Sequence, residues 1–303
     1  IPKLKVDEVI LAYSDLSHQE VMNKASIALA AGANFQLLGP KDTMLKAKKP
    51  VIAITAIRTG AGKSQTSRAI AEILRKHGKK ISIARHSMPY GNLIKQEVQK
   101  FSKYEDFVKN KCTIEEEEEY RPWIDRNFSI YAGVNYKKIL RRAEKDSNVI
   151  LFDGGNNDWS FYQPDLNIVI TDPFRPNHEI TYYPGFVNFL MADIIIINKV
   201  NTGRKSNIKI IEENIKKYNS KAIVIKSKSV ITIENPNQLK GKKILVVGDG
   251  PSLTHGGLAH GAGYFIAKEY KGRIIDPRKY AIGSLKEIYK KLLRCLAKQE
   301  QVF

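Results

Sequence analysis

The chain has 303 residues, 43% apolar and 27% charged, values of a globular protein long enough to bury a large core. No apolar stretch approaches the roughly 18–20 residues that cross a bilayer, and the N-terminal IPKLKVDEV lacks the apolar segment of a signal peptide. Lys and Arg number 50 against 31 Asp and Glu, a formal charge of +19, which points to a polyanionic partner.

The two cysteines, Cys112 and Cys295, offer neither metal-ligand spacing nor a disulfide framework, which fits a reducing cytoplasm. In chain order, EVILAYSDL (8–16) predicts a strand running into a capped helix, SHQEVMNKASIALAAGA, and NFQLLGP (34–40) predicts a second strand. DTMLKAKKP (42–50) reads as a linker. Two strands and one helix cannot cover both faces of a parallel sheet. Residues 1–48 are therefore expected to be the last part of a larger domain, with a second domain over 49–303.

That second domain opens on VIAITAIRTGAGKSQTSR (51–68): a β-branched run, a Gly-rich loop ending in Gly-Lys-Ser, and a helical pattern. In such a loop successive N–H groups and a helix N-terminus form a concave anion site. Arg58, Thr59, Gly60, Ala61, Gly62, Lys63, Ser64 and Gln65 are the expected nucleotide contacts. Lys63 would reach the β- and γ-phosphates and Ser64 would ligate Mg²⁺. Ile57 replaces the first Gly of the usual pattern, and Arg58 stands five residues before Lys63, where one branch of these proteins has a second lysine.

Further strands are expected at KISIAR (80–85), VILFDG (149–154), LNIVITD (166–172), ADIIIINK (192–199), AIVIKS (222–227) and KILVVGD (243–249). Strands alternating with helical spacings predict an α/β, doubly wound, mostly parallel sheet whose ligands sit at the carboxyl ends of the strands. The polar stretch 102–145 reads as a helical insertion, and its acid run Glu115–Glu119 as a solvated face.

Polar clusters follow several strands. Asp153 is placed to hold Mg²⁺ with Ser64, with Asp158 as a weaker second acid. Arg85 and His86 follow the second strand, and Asp172, Arg175, His178 and Glu179 lie in a proline-broken loop; these are candidates to grip a phosphorylated substrate. Asn198-Lys199 resembles the start of a guanine-reading motif, but Asn201 stands where the motif has an acid, so base contact is expected without guanine specificity. Asp249, Thr254, His255, Gly256 and Gly257 form a second Gly-rich loop before a helix, another candidate anion site, with Thr254 and His255 as substrate residues.

Taken in order, AYSDLSHQEVMNKASIALAAGANFQLLGP, AIRTGAGKSQTSR, ARHSMPYG, DGGNNDWSFYQPDL, DPFRPNHE, YYPG, MADIIIINK and GDGPSLTHGGLAHGAGY resemble a family of P-loop proteins known as cyclic 2,3-diphosphoglycerate synthetases or predicted GTPases. The resemblance implies a P-loop fold like that of the dethiobiotin synthetase and signal-recognition branch, preceded by a Rossmann-like domain of which residues 1–48 would be the end. It implies a cytoplasmic, Mg²⁺-dependent enzyme using ATP or GTP on a small phosphorylated acid, with Lys63, Arg58 and Asp153 at the transferring group. A membrane or nucleic acid is not the expected partner, and a homo-oligomer is compatible with the sequence. The alternative is a GTPase switch or metallochaperone-like regulator.

Overall fold

The structure is a computed structural model and describes residues 5–86, 92–154, 158–246, 260–283 and 286–287. Contacts divide the chain into two compact units, Ile1–Ser229 and Val230–Phe303. Residues 1–48 thus belong to the first unit. Their proposed origin as the end of a longer domain is a separate matter.

The first unit begins with β1 (Glu8–Ile10), β2 (Leu16–Ser17), α1 (His18–Ala30), β3 (Asn34–Gln36) and a short α2 (Pro40–Thr43). β1 and β3 pair in parallel. Ser17 caps α1, and Glu20 returns the bond in a capping box, so the predicted helix start is set by local chemistry. The expected strand 8–16 is shorter than read, because the ladder's last bond is from Leu11 N–H to Gln36 O and Ala12–Asp15 leave it.

The remaining elements are β4 (Val51–Ala56), α3 (Lys63–Lys76), β5 (Ile81–Ala84), β6 (Gln99–Phe101), α4 (Glu105–Lys109), α5 (Ile114–Ile124), β7 (Ser129–Ala132), α6 (Tyr136–Asp146), β8 (Val149–Asp153), β9 (Leu166–Thr171), α7 (His178–Thr181), β10 (Tyr182–Tyr183), α8 (Gly185–Leu190), β11 (Ile194–Ile197), α9 (Lys205–Tyr218) and β12 (Ile223–Lys226). One eight-stranded sheet runs β12-β11-β9-β4-β8-β5-β7-β6. Every pairing in it is parallel except that of the edge strand β6 with β7. The stretch 102–145 is therefore not wholly helical: it supplies β7, a four-residue apolar strand that the surrounding polar sequence hides.

Alternation along the strands explains the layers. In β4, Ile54 and Ala56 join a core with Ala71 of α3 and Trp123 of α5. Val51 and Ala53 face the other way, onto Ile139 and Leu140 of α6. On that same face Val169, Ile195 and Ile197 meet Ile208, Ile211 and Ile215 of α9. Strands buried on both faces read as continuous apolar runs, as these do.

In the second unit, β13 (Lys243–Ile244) pairs in parallel with β14 (Arg273–Ile274), and α10 (Ala262–Glu269) packs on β14. Of the expected strand 243–249, the described residues end at 246, and the first two form the ladder. Asp249, Thr254, His255, Gly256 and Gly257 lie outside the described residues.

Close packing reaches the loop after β4. A Cβ on Gly185, at the start of α8, would sit 2.8 Å from the Ile57 carbonyl oxygen, closer than real side chains approach backbone. Gly185→Ala should lower stability by roughly 1–3 kcal/mol, as overpacking does, and weaken triphosphate binding by shifting Ile57. Thermal denaturation with and without nucleotide measures both effects.

Candidate functional site

Because β4 lies between β8 and β9, with β5 and β11 next outward, five parallel strands present their carboxyl ends together. Ala56 leads into loop 57–62, Asp153 ends β8, Arg85-His86 follow β5, Asp172 follows β9, and Asn198-Lys199 follow β11. The predicted polar clusters at these five strand ends thus converge around one loop.

The loop needs its glycines. Gly60 and Gly62 have φ of 81° and 107°, a region that side chains avoid. A Cβ on Gly62 would lie 2.1 Å from Asn198 Nδ2. α3 starts directly afterwards at Lys63, so Ser64 and Gln65 fall in its first turn with its unpaired N–H groups.

Three consecutive loop carbonyls are held from outside. Thr59 O accepts from Arg175 Nη1 at 2.8 Å, Gly60 O from Lys199 Nζ at 2.6 Å, and Ala61 O from Asn198 Nδ2 at 2.8 Å. In a trans peptide the N–H points opposite its carbonyl. Tying these oxygens outward therefore turns the N–H groups of Gly60 and Gly62 toward the concave side, while the Ala61 N–H closes a turn on Arg58 O. The result is an anion cradle built before any ligand arrives. This is a P-loop NTPase fold.

On the ligand side, Asp153 is fully buried and accepts from three groups: Lys63 Nζ at 2.7 Å, Ser67 Oγ at 2.7 Å and Arg85 Nη1 at 3.0 Å. Burial alone would raise its pKa, but Lys63 and Arg85 with the bonds from Lys63 and Ser67 hold it well below the usual carboxylate range. Asp153 is thus a carboxylate, and it and the Ser64 hydroxyl are each hard oxygen donors of the kind that suits Mg²⁺. Asp158, by contrast, has its pKa raised by burial and accepts from Ser14.

Arg85 also pairs with Glu119 of α5, and Glu116 is buried, capping that helix on Thr113. The acid run is therefore not a purely solvated face. His86 lies beside this cluster with its Nδ1 buried and unpartnered.

Beneath the loop, Asp172 is fully buried and binds both Arg175 Nη2 at 2.6 Å and Lys199 Nζ at 3.2 Å. Asn198 Oδ1 accepts from Ser227 Oγ at 2.8 Å. Asp172, Arg175, Asn198 and Lys199, read from sequence as substrate or base contacts, are here the loop's supports. Arg58 turns outward: its Nε meets Asp15 Oδ1 at 2.6 Å, its Nη1 lies 2.9 Å from His178 Nδ1, and its guanidinium sits 3.9 Å above the Tyr182 ring. Ser67, Glu119, Asp15 and Tyr182 were missed by the motif reading. Ser67 alone carried a signal, standing one helical turn after Lys63.

No family model matches the chain. Over 287 residues it is 57% identical to "Arginine synthetase ArcE" of Thermococcus kodakarensis, a match covering 94% of this chain and 64% of that protein. The chain therefore spans just under two thirds of the length of this curated relative. That name differs from the diphosphoglycerate family which the motifs resembled; both are names of synthetases. Among solved structures, LpxK of Aquifex aeolicus in complex with ATP is 18% identical with a TM-score of 0.39, over 59% of this chain and 54% of that one. The hydrogenase maturation factor HypB of Archaeoglobus fulgidus is 16% identical with a TM-score of 0.36, over 69% and 88%. Among the described residues no helix is long and apolar enough to cross a membrane.

His86 gives this P-loop site a measurable pH signature. Burial, then the charges of Arg85 and Lys63, outweigh Glu119 and Asp153 and lower its pKa from 6.5 to about 4. Between those values the unfolded chain binds the proton and the folded chain does not, so stability rises with pH across the window and is lost on acidification. Urea unfolding at pH 7 and pH 4.5 should show a smaller acid loss in His86→Gln than in the unsubstituted protein. Equal losses would mean that His86 is protonated in the native state.

Proposed function

We propose that the chain is the nucleotide-binding part of a synthetase, which uses ATP or GTP to phosphorylate an oxygen of a small acceptor and so make that oxygen a leaving group. The observation that carries this reading is the prebuilt cradle, followed directly by Lys63, which is paired with the buried Asp153. The 57% identity to a protein named arginine synthetase makes arginine the first product to test.

Making a guanidino group from its ureido counterpart requires such activation. The ureido oxygen attacks the γ-phosphorus, and the bond to the nucleoside diphosphate breaks. A nitrogen nucleophile then adds at carbon, a proton is lost, and inorganic phosphate departs. The protein's part is positioning and charge neutralisation. The loop N–H groups and Lys63 bind the phosphates, and Arg85 with Ser67 keeps the Asp153 carboxylate oriented. Ser64 and Asp153 would hold Mg²⁺, which would add charge neutralisation at the phosphates. Asn198 and Lys199 act on the loop, and this reading takes ATP and GTP as alternatives. A cytoplasmic location, where ATP, GTP and Mg²⁺ are available, fits this reading.

A second reading, closure of cyclic 2,3-diphosphoglycerate, shares the first phosphoryl transfer and is supported by the concentration of Lys63, Arg85 and Arg58 around the loop. A GTPase regulator would instead hydrolyse GTP without any acceptor.

The test follows phosphorus by NMR with ATP or GTP and Mg²⁺, adding either L-citrulline with ammonium or 2,3-diphosphoglycerate. Acceptor-dependent phosphate release with arginine formation is expected, and Lys63→Ala should reduce turnover at least a hundredfold, about 2.7 kcal/mol of transition-state stabilisation. Acceptor-independent GTP hydrolysis would favour the regulator, and undiminished turnover by Lys63→Ala would overturn the P-loop assignment.

A further inference from the structure

Arg58 is the cation of the loop whose side chain leaves the phosphate cradle. It is 6% exposed, and its planar fork is fixed on several sides. Tyr182 lies under the guanidinium at 3.9 Å. His178 has its pKa lowered to about 4 by burial and by Arg58 and Arg175, so its ring is neutral and its Nδ1 accepts from Arg58 Nη1 at 2.9 Å. His178 also stacks on Tyr182, with centroids 4.5 Å apart. A guanidinium held flat in this way is preorganised for a carboxylate, and a carboxylate is what the structure shows there: Asp15 Oδ1, 2.6 Å from Nε.

The origin of that carboxylate separates it from the others near the loop. Asp153 and Asp172 stand at the ends of central strands and are fully buried. Asp15 comes from the segment before α1, its side chain is 15% exposed, and its backbone is left-handed at φ 61°. The segment has its own anchor next door, a two-residue antiparallel ladder of β2 with β10, pairing Tyr182 with Ser17 and Tyr183 with Leu16. β2 is thus held by backbone pairing of its own, separate from the Asp15–Arg58 ion pair.

We propose that Arg58, His178 and Tyr182 form the subsite for the acceptor's carboxylate, and that Asp15 is an internal occupant which the acceptor displaces. The inference rests on the synthetase reading above and narrows its substrate class to carboxylate-bearing acceptors. It also moves Arg58 from the transferring phosphoryl group to the acceptor. An amino acid and a phosphoglycerate both carry the required group, so the test must tell them apart.

Titration calorimetry on the whole chain, saturated with Mg²⁺ and the non-hydrolysable ATP analogue AMP-PNP, compares two pairs of probes. L-Arginine is set against agmatine, which lacks the carboxylate, and 2,3-diphosphoglycerate against glycerol 1,2-bisphosphate. In the unsubstituted protein one carboxylate-bearing member should bind better than its counterpart, and the pair that responds identifies the acceptor. Asp15→Asn should tighten that ligand about tenfold and leave its counterpart and AMP-PNP unchanged. Asn adopts left-handed backbone readily, but the variant leaves the buried Arg58 charge without its carboxylate, so its thermal midpoint should fall and be restored by the carboxylate-bearing ligand. Arg58→Lys keeps the charge but loses the fork, and should abolish the preference within the pair. If Asp15→Asn tightens AMP-PNP instead, Arg58 serves the phosphates and the proposal falls. If neither variant alters either pair while AMP-PNP binds normally, the ion pair is structural and the proposal falls with the nucleotide site intact. Failure of AMP-PNP to bind the unsubstituted protein would remove both readings.

Discussion

The site depends on the outward restraint of three consecutive carbonyls by Arg175, Lys199 and Asn198. A Gly-rich loop has many conformations of similar energy, and a phosphate cradle needs one of them. Strong charge-assisted bonds on Thr59 O and Gly60 O remove that freedom before a ligand binds. The two cations are fixed in turn by one buried carboxylate, Asp172, and Asn198 by Ser227 at the end of β12. The loop's shape is thus written at the ends of β9, β11 and β12, away from the loop itself. A buried ion-paired group of this kind contributes little net stability; its value here is a single loop geometry.

The sheet order makes the arrangement work. β4 delivers the loop between β8 and β9, and each neighbour ends near a buried acid with a different task. Asp153 faces Lys63 and the ligand side, while Asp172 works beneath the loop. Each acid gathers two cations; Glu119 balances the second at Asp153, while the group around Asp172 keeps one positive charge in excess and delivers it to the loop carbonyls. A sheet with β8 and β9 elsewhere would leave both acids out of reach of their partners.

Much of this was legible in the sequence. The loop, the central strands β4, β8, β9 and β11 and the convergence of polar groups at their ends follow from apolar runs bounded by Gly and polar residues. Sequence could not say which way a strand-end side chain turns. Asn198 and Lys199 fit a base-reading pattern, yet Lys199 adopts a left-handed backbone at φ 57° and both side chains reach the loop. β7 was hidden because SIYA is short and sits in a polar stretch. In the acid run, the spacing of Glu116, Tyr120 and Trp123, all buried, did carry a helical stripe, which five consecutive acids obscured.

The charge of +19 takes on a different meaning once the site is resolved. Arg58, Lys63, Arg85, Arg175 and Lys199 face Asp15, Glu119, Asp153 and Asp172, so the site by itself is close to neutral. Most of the basic excess therefore lies elsewhere in the chain, for instance along α9, whose last turn carries Lys216 and Lys217. Solvated lysines of that kind draw anions by long-range attraction that salt screens. At the loop the physics is different: a triphosphate or an anionic acceptor must exchange places with carboxylates already paired to the cations. Selectivity at such a site comes from which internal pair is easiest to exchange, and that is set by burial and tethering more than by the number of charges.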